Sequence, residues 1–427
     1  MRIAIIGSGI SGLACAWYLR QAHEVVLFEA QDYLGGHTHT HDIELDNTRY
    51  RVDTGFIVHN PAHYPLLHEL FDKLGVASQP TTMSFSVRNA ASGLEYNATT
   101  LDTLFCQRRN IVSPRFLGMV RDLLRFYKEA PAVLAGPSPG PSLGEYLAEH
   151  RYGTAFRDEH LVPMASALWS SPAEAILKFP VQYLVRFMAN HQMLQVDGRP
   201  EWQVVQGGSR TYIEALRKRW RVTERLSCPV YAVTREANGV RVRSLHGEET
   251  FDQVILACHS DQALALLGDA DDAERDILGS IPYQANDTVL HTDASVLPKQ
   301  RKAWAAWNAL LPATLGEHCT VSYCMNLLQG IDSPRPLIVS LNQTANIDPA
   351  QILRRMSYAH PVYTEATVRA QARKAEIQGK RRTWFAGAYW GWGFHEDGMR
   401  SAVEVVAGLQ HTAESASAAP TVGSVLA

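Results

Sequence analysis

Three small residues at fixed spacing, Gly7, Gly9 and Gly12 of Gly7-Ser8-Gly9-Ile10-Ser11-Gly12, stand between two apolar runs, Ile3-Ala4-Ile5-Ile6 and Leu13-Ala14-Cys15-Ala16-Trp17-Tyr18-Leu19. Residues of this kind can hold a pyrophosphate. Gly7 permits the tight turn, Gly9 lets the backbone come close to the phosphates, and Gly12 lets a helix lie against the preceding strand. The start of that helix, where Ser11 sits, offers N–H groups and a partial positive charge. A second apolar run, Val25-Val26-Leu27-Phe28, ends in Glu29, 17 residues after Gly12. A carboxylate at that place accepts hydrogen bonds from ribose hydroxyls and repels a phosphorylated ribose. The elements needed to position these residues are a strand, a turn, a helix and a second parallel strand, and the pattern predicts them in that order.

The frame around them is large enough. The chain has 427 residues, 46% of them hydrophobic, and a net charge of −3. That length suits two interleaved domains, and the charge balance gives no field for nucleic acid. Six cysteines (15, 106, 228, 258, 319 and 324) are scattered without a CxxC pair. They are read as free thiols of a reducing compartment rather than a disulfide frame or zinc site. No export signal precedes the first strand and no apolar run spans a bilayer, so the expected location is cytoplasmic, with contact at the inner membrane face left open.

Further along, residues 85–97 alternate around a glycine turn and predict a hairpin. Residues 100–200 read as mostly helical, broken by a loop at Pro137, Pro139 and Pro141. Gln206-Gly207-Gly208-Ser209 opens a helix. Strands are expected at 229–233, 240–242, 252–257, 288–291, 320–325 and 337–341, the 252–257 segment being buried and parallel. Trp384-Phe385-Ala386-Gly387 reads as a strand returning to the first domain. A loop at 388–397 then leads to a helix from Gly398 to about Leu409. The division expected is 1–80, 203–265 and 382–410 for a dinucleotide domain, 81–202 and 266–381 for a substrate domain, and a disordered tail from 411 to 427.

Together these segments resemble the FAD-dependent amine oxidase superfamily, which also includes protoporphyrinogen oxidases and carotenoid desaturases. Gly35-Gly36-His37 is similar to the flavoprotein turn that touches the FAD diphosphate, and Asp53-Thr54-Gly55-Phe56-Ile57 to the segment that runs along the flavin. The strand at Val230 resembles the adenine side. The closing segment through Gly387, Asp397, Gly398 and Met399 completes the likeness. The fold implied is α/β, a Rossmann-like FAD-binding domain interleaved with an α+β substrate domain, as in amine oxidases and glutathione reductase. A narrower resemblance, through Met83-Ser84-Phe85-Ser86-Val87, residues 289–293 and 303–308, and Gly393-Phe394-His395-Glu396-Asp397-Gly398, is to bacterial NAD/FAD-binding proteins encoded beside cyclopropane-fatty-acid synthases. Two departures are plain. Ala388 replaces the glutamate common after Phe-Ala-Gly, and His37 replaces an arginine. The C-terminal loop has no cysteine, so the resemblance implies non-covalent FAD; His395 has the chemistry for a histidyl link, but nothing in the sequence requires one.

What the resemblance implies about chemistry is hydride removal, with the cofactor carrying the reaction. The N-terminus of the helix from Gly398 would stabilise an anionic reduced flavin, and Asp397 reads as its N-cap. Tyr389, Trp390 and Trp392, interleaved with glycines, are assigned to the substrate wall. His37, His39 and His41 would share a face of a strand, but no further ligand completes a metal set and none is assigned. No residue stands out as a general base or other catalytic group. The expected reaction passes a hydride from an apolar substrate, a fatty acyl chain of a lipid, to flavin N5, in a desaturation or oxidation. The alternatives are a flavin amine oxidase, a redox-neutral double-bond isomerase, and a non-catalytic FAD-binding partner of a lipid methyltransferase. Residues 108–128 carry Arg108, Arg109, Arg115, Arg121, Arg125 and Lys128 against Asp122. Phe116, Val120, Leu123, Leu124 and Tyr127 are expected on one helical face. Two accounts fit this segment: a helix packed on the substrate domain, which is preferred, and a helix lying on an anionic membrane.

Overall fold

In the computed structural model, which describes residues 1–137, 140–312 and 320–417, the chain divides into two compact units. One comprises residues 1–36, 216–279 and 370–427, the other 37–215 and 280–369.

The first unit is built on a five-stranded parallel sheet. Its order is Thr223–Arg225, Glu24–Phe28, Arg2–Ile6, Gln253–Leu256, Thr383–Phe385. The central strand is buried on both faces, as its unbroken run of isoleucine and alanine requires. Beside this sheet Val230–Glu236, Gly239–Ser244 and Gly247–Phe251 form an antiparallel one. The helix Ile10–Leu19 follows the first strand, and the helix His395–Ser417 packs against it. That closing helix starts three residues before Gly398 and runs past His411, where a disordered tail was expected to begin; residues 418–427 of that tail lie outside the described residues.

The second unit holds a seven-stranded mixed sheet. Its order is Ile352–Pro361, Tyr283–His291, Ile338–Leu341, Val321–Cys324, Trp307–Leu311, Phe85–Asn89, Glu95–Asn97. The expected hairpin is there, pairing Val87 with Tyr96. The strands expected at 288–291, 320–325 and 337–341 are there as well. Strands Trp307–Leu311 and Ile352–Pro361 were not foreseen. Pro139 and Cys319 fall outside the described residues. The other cysteines are free thiols.

Residues 37–80, expected with the dinucleotide segments, pack inside this second unit, and so does the strand Gln203–Val205. That strand pairs with Val58–His59 and Ser78–Pro80. The hairpin Thr40–Leu45/Thr48–Asp53 contributes Ile43 and Val52 to a core with Val204, Leu290, Val321 and Val339. The strand begins at Thr40, so of the three alternating histidines only His41 lies on it, and the single shared strand face expected for them does not form. No helix of the described residues is long and apolar enough to cross a membrane.

Candidate functional site

The site begins where the first strand ends. Gly7 has φ +101°, and a Cβ there would lie 2.7 Å from the Ala257 carbonyl oxygen; one on Gly12 would lie 1.9 Å from the Gly7 carbonyl oxygen. Both positions are bare because the chain itself fills the space. Gly9 differs: a Cβ there would meet nothing within 4 Å. Gly9 is also the N-cap of the helix Ile10–Leu19 and supplies no side-chain acceptor to it. A helix N-terminus thus faces open space over a residue without a side chain, which is the shape and polarity an anionic diphosphate needs.

Ser8, buried, ties three segments together. Its N–H and hydroxyl both donate to Glu29 Oε2, at 3.0 and 2.6 Å. Its carbonyl oxygen and Oγ accept from the Gly35 N–H, at 3.0 and 3.2 Å. Glu29 Oε1 takes the Gln31 N–H at 2.9 Å. The second glycine turn is therefore locked on the first, and a Cβ on Gly36, whose φ is +57°, would sit 3.2 Å from Gly9 Cα. Sequence reasoning located the glycines and Glu29 and missed Ser8, although its place between two of the glycines was a visible signal.

The closing helix converges on the same end of Ile10–Leu19. Ser11 Oγ donates to the Gly398 carbonyl oxygen at 3.1 Å, and a Cβ on Gly398 would lie 2.6 Å from Ile10 Cγ2. Gly398 is bare so that two helices can touch, and the helix expected to begin there begins at His395. Asp397 is likewise not the N-cap. It sits in the helix's first turn, and its Oδ2 accepts from the backbone N–H groups of Trp392 and Phe394, at 3.0 and 3.1 Å, anchoring the preceding loop in the manner of half a capping box. Burial pushes this carboxyl up to about 6. Met399 is fully buried, and Val230 lies half-buried on its antiparallel sheet.

The aromatic loop is held from two sides. Gln371 Nε2 donates to the carbonyl oxygens of Tyr389 and Gly391, at 2.8 and 2.6 Å; nothing in the sequence flagged this glutamine. The Trp390 indole N–H donates to the Phe385 carbonyl oxygen at 3.1 Å. Tyr389 is buried, its ring filling the space a Gly387 side chain would take. Of the three residues assigned to a substrate wall, Tyr389 is buried in the unit's interior, and Trp390 and Trp392 are half-buried.

The remaining expected residues lie in the second unit. His37 and Gly55 cross closely: the Phe56 N–H donates to the His37 carbonyl oxygen at 2.7 Å, and a Gly55 Cβ would lie 2.1 Å from that oxygen. Ile57 follows in the core. Asp53 is fully buried and takes hydrogen bonds from Thr40, from the Ser209 N–H and hydroxyl, and from Gln329 Nε2. Desolvation pushes it up to about 6. It knots the hairpin to the glycine turn that opens the helix Arg210–Arg217. The His37 ring lies 5.1 Å from those of Tyr358 and His360, and burial takes His360 down to about 3. Among the described residues no group of three or more histidine, cysteine or acidic side chains is placed to hold a metal.

A family model described as flavin containing amine oxidoreductase matches residues 10–290. Tryptophan 2-monooxygenase of Pseudomonas savastanoi is 35% identical over 82 residues, 19% of this chain but only 14% of that protein's length. Among solved structures, a CLA-producing fatty acid isomerase from P. acnes superposes with a TM-score of 0.67 at 18% identity, covering 95% of this chain and 98% of its own. Cyclohexylamine oxidase from Brevibacterium oxydans IH-35A superposes with a TM-score of 0.68 at 17% identity, covering 97% and 99%. At such identities the likeness is one of fold.

Proposed function

The chain belongs to the flavin-containing amine oxidoreductase family, and from that premise we propose that it is an FAD-dependent oxidoreductase that takes a hydride from an apolar substrate, a fatty acyl chain of a lipid. The observation that carries the cofactor assignment is Gly9. A Cβ built on it would meet nothing within 4 Å, and it stands at a helix N-terminus that no side chain caps. Gly9 would receive the diphosphate, in a turn that Gly7, Gly12, Gly35 and Gly36 shape by close packing, and Glu29, preset by Ser8, would meet the ribose. When bound, FAD supplies a two-electron acceptor for a hydride from a C–H bond. Non-covalent binding fits the cysteines of this unit: burial pushes the Cys15 and Cys258 thiols up to about 12, away from the reactive thiolate.

An apolar substrate is favoured over an amine by the state of the carboxylates. An ammonium group entering a buried site needs an uncommitted anion. In the second unit the buried acids are engaged already. Asp53 is held as described, and Glu95 accepts from the Lys299 and Gln300 N–H groups. Glu159 is taken by Asn89 and Arg115, and Asp122 by the Gly153 N–H and Arg125. Asp293 accepts from the Ser295 and Asp348 N–H groups. The name of the fatty acid isomerase that shares this fold points the same way.

The test is anaerobic incubation of the flavoprotein with bacterial phospholipids or with primary and secondary amines, followed by the oxidised-flavin absorbance and lipid mass analysis. Bleaching by lipid with a two-hydrogen mass loss is expected. Bleaching by amines alone would overturn the substrate assignment, and a double-bond shift without acceptor consumption would replace oxidation by isomerisation.

A further inference from the structure

The segment from Leu101 to Lys128 departs from its expected packing. The helix Pro114–Glu129 buries Phe116, Met119, Asp122 and Phe126, whereas Leu124, expected inside, faces out. Its outer stripe, at spacings of four, three and four, reads Leu117, Arg121, Leu124, Lys128. With the short turn Arg108–Val112 that precedes it, the exposed apolar side chains are Leu101 (76%), Ile111 (51%), Val112 (79%), Leu117 (43%) and Leu124 (50%), half of the large exposed hydrophobics among the described residues. From Leu101 to the end of the helix six arginines and lysines stand against Asp102, Asp122 and Glu129, a net of +3 in a chain whose total is −3; Arg125 also reaches Glu129, and Arg115 reaches Glu159. Asp122 is buried beneath Arg121 and Arg125, and Asp102 is shared by Arg108 and Lys302. The outer stripe of the helix itself carries no acid.

We propose that this face docks on the surface of an anionic lipid bilayer, with the leucines, Ile111 and Val112 entering the acyl boundary and the basic side chains reaching lipid phosphates. The interleaving is the argument. Single apolar residues are ordinary on a solvated surface, but five exposed aliphatic side chains gathered in one basic segment are not, and a phosphate backbone is bound by cations without aliphatic side chains. A bilayer interface takes both, since long basic stems lie along apolar surface while their heads stay in the headgroup layer. The Ser113 hydroxyl caps the helix by accepting the Phe116 N–H, and the Phe105 and Phe116 rings, 5.6 Å apart, fix the segment before the turn to it. The face is therefore preformed.

Cosedimentation of the full-length flavoprotein with vesicles of equal parts phosphatidylglycerol and phosphatidylcholine tests this. Binding is expected to be at least about ten-fold weaker to phosphatidylcholine alone and to fall with salt. In Arg121→Gln/Lys128→Gln each lost charge should weaken it about five-fold, and Leu117→Ser/Leu124→Ser should weaken it about ten-fold or more. None of the four side chains is buried, so flavin absorbance and cooperative thermal unfolding should be kept, which controls for folding. No binding of the parent to the mixed vesicles, or variants that bind like the parent, would overturn the proposal. So would a dimer in sedimentation equilibrium that the leucine variant dissociates while vesicle binding persists. Because the readout involves no turnover, the substrate assignment can fail while this face stands, and the reverse.

Discussion

The turn at residues 7–12 and the loop at 387–398 are both glycine-rich and both run into a helix, yet their glycines answer to different causes. In the loop three of the four bare Cα positions are backed by the protein: a Cβ on Gly387 would meet the Tyr389 ring, one on Gly391 the Asp397 carboxylate at 2.2 Å, one on Gly398 the Ile10 side chain. In the turn, Gly7 and Gly12 behave the same way, and Gly9 alone faces open space. A glycine motif thus mixes positions that serve packing with positions that serve a ligand. What a methyl group would strike separates them; the spacing does not.

Substitutions can break or sharpen that contrast. Gly12→Ala forces a methyl to within 1.9 Å of a backbone oxygen, so the strand and helix must part. A loss of at least about 3 kcal/mol in denaturant unfolding is expected, with little folded flavoprotein recovered. Gly9→Leu, in the same motif, should change unfolding stability by less than about 1 kcal/mol while weakening FAD binding by about 100-fold, or roughly 2.7 kcal/mol, read by flavin fluorescence titration. If Gly9→Leu unfolds the chain or keeps its FAD, the contrast collapses.

The loop supplies the next effect. The Asp397 carboxyl is raised from 3.8 to about 6 by burial. The native state therefore holds this proton more tightly than the unfolded chain, and the stabilisation is full below about pH 4 and lost as pH rises through 6. Asp397→Asn removes that term. The stability gap between parent and variant should shrink by about 2–3 kcal/mol from pH 4 to pH 7; a gap that widens would show the carboxylate to be better satisfied than the buried acid. The smallest effect is Gln371→Ala, which strips two loop carbonyls of their donor. It should cost about 1–2 kcal/mol and speed proteolysis within 388–394, with FAD binding less affected than in Gly9→Leu.

Much of the first unit was legible because its parallel strands are continuous apolar runs ending in punctuation: Ile3 to Ile6 before Gly7, Val25 to Phe28 before Glu29, Val254 to Leu256 before Ala257. The placement of residues 37–80 and 203–215 was not. It depends on Asp53 reaching Ser209 and Gln329, 156 and 276 residues away, and no local period encodes such a bond. The closing loop misled for a related reason. Asp397 followed by a glycine looks like a cap, whereas in the folded chain its carboxylate turns back to residues 392 and 394. Likewise Leu124 fits the inner face by helical period, but Met119 and Asp122 take the places beneath.

The central strand of the parallel sheet has a consequence for synthesis. Arg2–Ile6 lies between Glu24–Phe28, close in sequence, and Gln253–Leu256, 250 residues on. At 5–20 residues per second, a ribosome leaves one edge of this apolar strand without its partner for roughly 12–50 s. Unpaired for that long, it is a template for joining another chain edge to edge. The nascent protein therefore calls for chaperone cover until the second half has been made, and yield in the cell should respond to translation speed and to holdase supply more than to the stability of the finished fold.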